Sequence, residues 1–197
     1  MTRFDQHYYQ RFYGGPDGVH QPEQVAHLAT AVHHLCSWWG VPPATVLDVG
    51  AGVGMWRDWY RLAHPEVRVM SVDVSPYACE RWGHEQRDIA TWSPEAPFDL
   101  VICHGVVHYL DDASAEAAIS NLGAATGAVL YLELPTTHDL DVVVDPERTD
   151  MAVHQRSGPW YRERLQPWFQ QAGAGLWVRH GTVPLFELEA AEGSWPS

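Results

Sequence analysis

Val46-Leu47-Asp48-Val49-Gly50-Ala51-Gly52-Val53-Gly54 is an apolar run that passes directly into a turn with glycine at every second position. Thr45–Val49 is the short, almost uninterrupted apolar segment that a buried parallel strand shows, and Met55–Leu62 behind the turn suits a helix. Glycines 50, 52 and 54 permit positive φ and let a ligand come close to the backbone, although the same residues also serve a tight turn that binds nothing. Their spacing separates ligands. A dinucleotide fingerprint needs G-x-G-x-x-G, whereas here the third glycine falls at 54 and position 55 is Met. The GK[ST] of a phosphate loop is absent too.

Working outward, Val25, Leu28, Val32, Leu35 and Trp39 recur at helical spacing between Pro22 and Gly40. After the glycine turn the pattern predicts a strand at Val67–Val72, a helix at Pro76–Trp82 and a weak strand at Glu85–Arg87. A strand at Phe98–Cys103, a helix at Ala113–Leu122 and a strong strand at Ala128–Leu134 follow. Strands alternating with helices imply an α/β fold, a doubly wound, mostly parallel sheet with helices on both faces. The polar stretch Pro135–Pro159 is too long for a simple connection and is a candidate lid or substrate loop. A helix at Trp160–Gln171 and two closely joined runs, Gly175–Gly181 and Val183–Ala190, predict a C-terminal antiparallel hairpin that brings the sheet to seven strands. Residues 1–197 are thus expected to form a single domain. It would comprise an N-terminal helical cap (1–40), a ligand-binding core (44–134), the loop (135–159) and a closing helix and hairpin (160–190).

The formal charge of −13, from 12 Lys and Arg against 25 Asp and Glu, repels phosphate backbones, so no nucleic-acid partner is expected. The locally acidic stretch from Asp139 to Asp150 reads as a solvated loop. Cys36, Cys79 and Cys103 are odd in number and form no CxxC pair, and the 12 histidines lack metal-binding spacing. We therefore expect a reducing, cytoplasmic setting and no metal. Neither an export signal nor an apolar run of the ~18 residues a membrane span needs is found, and no membrane partner is expected. Oligomeric state is not encoded in any pattern.

Ligands of a doubly wound sheet bind at the carboxyl ends of its strands. Asp73 ends the second run, 23 residues after Gly50 (73 − 50), where an acid can accept both hydroxyls of a ribose, or else cap the helix that follows. Asp88-Ile89 supplies a further carboxylate beside an apolar face. Together VLDVGAGVG, Asp73, Asp88-Ile89, FDLVICHGVVHYLDD and GAVLYLEL, in that order from Val46 to Leu134, resemble the Rossmann-like class I S-adenosylmethionine-dependent methyltransferase family. The resemblance implies that S-adenosylmethionine is bound and S-adenosylhomocysteine released. It places Gly50, Ala51 and Gly52 at the methionine portion, Asp73 with its neighbour Val74 at the ribose, Asp88 and Ile89 at the adenine and His104 near the sulfonium. Asp48 beside the turn suits the cofactor's positive charges.

The resemblance implies methyl transfer to a small-molecule oxygen, nitrogen or carbon. Two alternatives are a non-catalytic binding or regulatory protein of the same fold and, more distantly, a nicotinamide oxidoreductase. Where the acceptor carries a proton, His104 and His108 after the fourth strand and His138 after the fifth are candidate bases, with packing, capping and loop roles as their alternatives. Tyr8, Tyr9 and Tyr13 are candidates to close over a ligand, and Trp160 and Tyr161 to wall an acceptor pocket, unless they only pack.

Overall fold

The computed structural model describes residues 3–15 and 18–191. Strands β1 (Thr45–Val49), β2 (Arg68–Asp73), β3 (Glu85–Gln86), β4 (Phe98–His104), β5 (Thr126–Glu133), β6 (Phe169–Gly173) and β7 (Leu176–Arg179) make one sheet in the order β3-β2-β1-β4-β5-β7-β6. The first five run parallel; β7 lies antiparallel to both β5 and β6. The chain winds outward from β1 in both directions, so the crevice between the ends of β1 and β4 is the switch point where such sheets bind ligands.

Both sheet faces are apolar because alternate residues face opposite sides, and helices cover each. Val46, Leu100, Ile102, Val129 and Tyr131 pack on α2 (Pro22–Trp38) and α3 (Met55–Ala63). Leu47, Val101, Cys103, Leu130 and Leu132 pack on α5 (Asp112–Ala125) and α7 (Gly158–Leu165). Leu100, Ile102 and Leu130 are fully buried, positions where truncation to alanine costs about 2–5 kcal/mol. At the remaining helices, Asp5 caps α1 (Gln6–Tyr13), Ser75 caps α4 (Pro76–Trp82) and Thr136 caps α6 (Thr137–Val142), each accepting a backbone N–H of the first turn.

The C-terminal hairpin is present but lies earlier in the chain than the apolar runs suggest. Gln166 still has helical φ and ψ (−53°, −34°), but Pro167 has no N–H to donate to the carbonyl four residues back and its ring crowds that carbonyl, so α7 ends at Leu165 instead of Gln171. The freed residues form β6. Ala174 and Gly175, with φ of 49° and 77°, make the two-residue turn into β7, the backbone that a tight hairpin demands. Residues 183–190 form no strand: Pro184 interrupts them, and Phe186 and Leu188 lie exposed. The Pro135–Pro159 stretch also differs from a bare loop, since it contains α6 and is pinned by Arg156, which donates to Asp112 Oδ1 at 2.8 Å and to Leu110 O at 2.6 Å.

Candidate functional site

Three connected chambers open at the carboxyl edge of the sheet. The first, about 220 Å³, is lined by the glycine turn, by Asp73, Val74, Asp88 and Ile89, and by α1. Its geometry is set by the main chain. Gly50 and Ala51 both donate to Val72 O, at 2.9 and 3.1 Å, which ties the turn to the end of β2. Asp73 closes the structure: Oδ2 accepts from Gly52 N and Oδ1 from Ser75 N, each at 2.8 Å. The cap of α4 is Ser75, and Asp73 holds the N–H of that cap residue instead of capping the helix itself, while its carboxylate borders the chamber. Burial raises its pKa and these backbone donors oppose the rise. Gly50 has φ 66°, and a Cβ there would collide with Val106 Cγ2, so both backbone conformation and space favour glycine. Asp88 Oδ1 accepts from Ala90 N at 2.9 Å, and Ile89 is buried beside it.

A buried polar cluster that no motif announced supports the turn from behind. Arg57 Nη1 donates to His84 Nδ1 at 3.1 Å, so His84 Nε2 carries the ring proton and donates to Gly52 O at 3.0 Å. Burial lowers the pKa of His84, in keeping with that neutral tautomer.

A second, small chamber of about 40 Å³ lies against the turn at Asp48, Ala51 and Trp56. Asp48 is buried, its Oδ2 has no hydrogen-bond partner among the described residues, and burial pushes its pKa up to about 7. The third chamber, about 430 Å³, lies between α1, the ends of β4 and β5 and the 135–150 stretch. His104 and Tyr13 line all three.

His104 is the junction. Its Nδ1 lies 3.2 Å from Trp56 Nε1, and an indole N–H only donates, so Nδ1 is the acceptor and the ring proton sits on Nε2. Nε2 faces Glu133 Oε1 at 3.7 Å, an ion-pair distance too long for a hydrogen bond. The pairing follows from register, for His104 and Glu133 are direct partners on β4 and β5. The neighbouring His104 first, then the Tyr131 hydroxyl, hold the Glu133 carboxyl below the ordinary carboxylate range against the cost of burial. His20 packs on His104 with ring centroids 4.4 Å apart, and burial followed by that neighbour lowers its pKa to about 4. Glu133 and His20 escaped the sequence reading. Glu133 becomes readable only once the β4–β5 register is known, and His20 stands in an unpatterned connection.

The remaining candidates separate cleanly. His108 lines the third chamber; burial lowers its pKa to about 4, and Nδ1 has no hydrogen-bond partner among the described residues. His138, on the exposed side of α6, lines none of the chambers. Tyr8, Tyr9 and Tyr13 do cover the first chamber: Tyr9 stacks on Tyr77 at 5.8 Å, and the Tyr8 and Tyr109 hydroxyls lie 2.8 Å apart. Arg3 fastens this segment by its 3.0 Å pair with Asp150. Neither Trp160 nor Tyr161 lines these three chambers, although Tyr161 borders a separate cavity of about 210 Å³ beside Glu133. Trp160 sits between the guanidiniums of Arg156 and Arg164, and Tyr161 points into the core, because the face of α7 that carries it packs on the sheet. Nor is the Asp139–Asp150 stretch wholly solvated, for both end residues line the third chamber.

The family model described as "Methyltransferase domain" matches residues 22–181. Trans-aconitate 2-methyltransferase of Methylobacterium radiotolerans is 29% identical over 126 residues, 60% of this chain and 46% of that protein. Ribosomal RNA large subunit methyltransferase M of Azoarcus sp. is 30% identical over 102 residues, 49% of this chain and 28% of that protein. The matched part thus spans less than half of either relative. Among solved structures, the SAM-bound amino pentose methyltransferase of Micromonospora echinaspora shares the fold, with a TM-score of 0.58 at 17% identity, covering 78% of this chain and 91% of that one. Among the described residues no helix is long and apolar enough to cross a membrane.

Proposed function

We propose, starting from the fact that this chain belongs to the methyltransferase-domain family, that it transfers the methyl group of S-adenosylmethionine to a small-molecule acceptor. The observation that carries the reading is the meeting of the chambers at His104 and Tyr13. A nucleoside held by Asp73, Asp88 and Ile89 and an acceptor held in the third chamber then approach each other at one point. The residues fit the cofactor. Asp48, buried with an unpartnered oxygen beside the turn, suits a cationic methionine end, and the positive-φ glycines leave no Cβ between backbone and ligand. When bound, S-adenosylmethionine supplies a methyl carbon already activated by its sulfonium.

The protein's own contribution is alignment and exclusion of water, and holding reactants in line is worth up to ~7–11 kcal/mol. Asp73 fixes the ribose while it holds Gly52, so position at one end is transmitted to the turn. Tyr8, Tyr9 and Tyr13 cover the reacting edge from α1. His104 acts as an N–H donor beside the acceptor instead of a base, since its only lone-pair nitrogen is occupied by Trp56. A small acceptor is supported by the chamber's size and by the absence of any arginine among the described residues that line it, features unsuited to a phosphate backbone.

Titration calorimetry with S-adenosylhomocysteine tests the reading. Saturable binding is expected in the wild type. Asp73→Asn, which keeps the shape but loses one acceptor, should weaken it by about 1.5–3 kcal/mol with the circular dichroism spectrum unchanged. Failure of the wild type to bind would refute the proposal.

A further inference from the structure

The acceptor chamber is one-sided in charge. Among the described residues Glu133, Asp139 and Asp150 line it, and none of the arginines, the chain's basic residues, does. The three carboxylates are not equally available. Asp139 Oδ2 already accepts the backbone N–H and the hydroxyl of Thr136, at 2.8 and 2.7 Å. Asp150 is paired with Arg3, which reaches it from the neighbouring chamber. Glu133 retains capacity: Oε2 accepts from the Tyr131 hydroxyl, and Oε1 has only the distant His104 Nε2. Glu133 therefore presents a half-exposed carboxylate to the third chamber, beside His104.

A second observation also points to a polar ligand. His108, 5% exposed, lines the same chamber with Nδ1 unpartnered among the described residues. Unpartnered buried nitrogens are uncommon unless something else satisfies them. His20 and His108 add no positive charge near neutral pH, since burial lowers both to about 4. An anionic acceptor would meet the carboxylates with no arginine among the described lining residues to receive it, whereas an amine finds a hydrogen-bond acceptor.

We infer that the acceptor is a small primary or secondary amine, oriented at the junction by the Glu133 carboxylate. The inference rests on the third chamber being the acceptor site. Glu133 accepts an N–H hydrogen bond and leaves the nitrogen lone pair directed at the methyl carbon. The nitrogen–carbon bond forms from that lone pair, and the carbon–sulfur bond breaks with its electrons going to sulfur. The positive charge passes to the methylated ammonium, whose extra proton leaves to water. No side chain lining the chamber is required as the base, so the rate follows the fraction of acceptor present as free amine.

The test uses the full chain, first shown to bind S-adenosylhomocysteine; lack of that binding would remove the proposed function itself and this inference with it. The chain is then given S-adenosylmethionine with ethanolamine, histamine and glucosamine, and separately with citrate and trans-aconitate, and products are read by mass. We expect an amine to gain one methyl group and the carboxylates to stay unmodified. For the reactive amine, kcat/KM should rise with pH along the amine's own titration. Glu133→Gln should raise the amine KM about tenfold to a hundredfold, the size of a lost charge-assisted hydrogen bond, with kcat largely kept and S-adenosylhomocysteine affinity unchanged. Binding of S-adenosylhomocysteine without methylation of any of these amines overturns the inference, as does preferential methylation of trans-aconitate or citrate. An unchanged amine KM in Glu133→Gln removes Glu133 from the role.

Discussion

The two larger chambers that meet at His104 are made of different material. The smaller has a floor of backbone and short carboxylates from the ends of β1, β2 and β3, with Asp73 held by two backbone N–H groups, under a cover of aromatic side chains from Phe4, α1 and Tyr109. The larger is walled by side chains gathered from α1, the segment after it, the ends of β4 and β5, and the 135–150 stretch. Main-chain recognition leaves little room for substitution, because changing a side chain does not move the atoms that do the binding. Side-chain recognition on irregular segments is open to revision residue by residue. The first chamber accordingly suits a cofactor and the third the proposed acceptor.

That contrast is most easily broken at Gly50. Gly50→Val forces a β-branched residue into left-handed backbone, which costs about 1–3 kcal/mol, and drives its Cβ onto Val106. S-adenosylhomocysteine binding should be lost in calorimetry, together with a lower Tm, and binding that survives would show that the turn is not the recognition element. A smaller effect is expected at the junction. If His104 is a donor, His104→Gln, which keeps an N–H, should retain most of the single-turnover rate, while His104→Ala loses about tenfold through a weaker KM. A loss of ~10²–10⁴ in both variants would restore it as a general base.

The smallest effect concerns Asp48. Its carboxyl is raised to about 7 in the folded chain against an ordinary value of ~3.9, so the folded state holds more protons than the unfolded one between those values. Stability of the ligand-free protein should therefore fall as pH rises from about 4 to 7 and level off above. Ligand affinity should move the other way. If only ionised Asp48 receives the methionine ammonium, the dissociation constant for S-adenosylhomocysteine should fall about tenfold between pH 6 and pH 8, in proportion to the ionised fraction. Asp48→Asn should flatten both profiles, and a sloped profile in that variant would assign the pH dependence elsewhere.

The same difference in material explains what was legible before the structure. Strand, turn and helix around Gly50 follow one another without a gap, so β1, the turn and the start of α3 fall where the sequence puts them, and Asp73 and Asp88-Ile89 border one chamber as expected. Glu133 needed the β4–β5 register, which no local pattern supplies, before it could be set opposite His104. His20 depends on where an irregular connection is folded back. Helical facing decides Tyr161, and a single proline displaced the hairpin, because Pro167 overrides a stretch whose apolar spacing continues the helix. His138 failed as a candidate for a similar reason: the chain after β5 turns into α6 and carries it outward while Asp139 remains at the chamber.

A crystal structure of the chain with S-adenosylhomocysteine tests the division of labour between the chambers most directly. The ribose hydroxyls should lie on Asp73, the adenine beside Asp88 and Ile89, the methionine ammonium toward Asp48, and the sulfur at the junction beside His104 and Tyr13, with the chamber at Glu133 left open. A nucleoside seated instead against Glu133 and His108, or a sulfur directed away from that junction, would contradict the account.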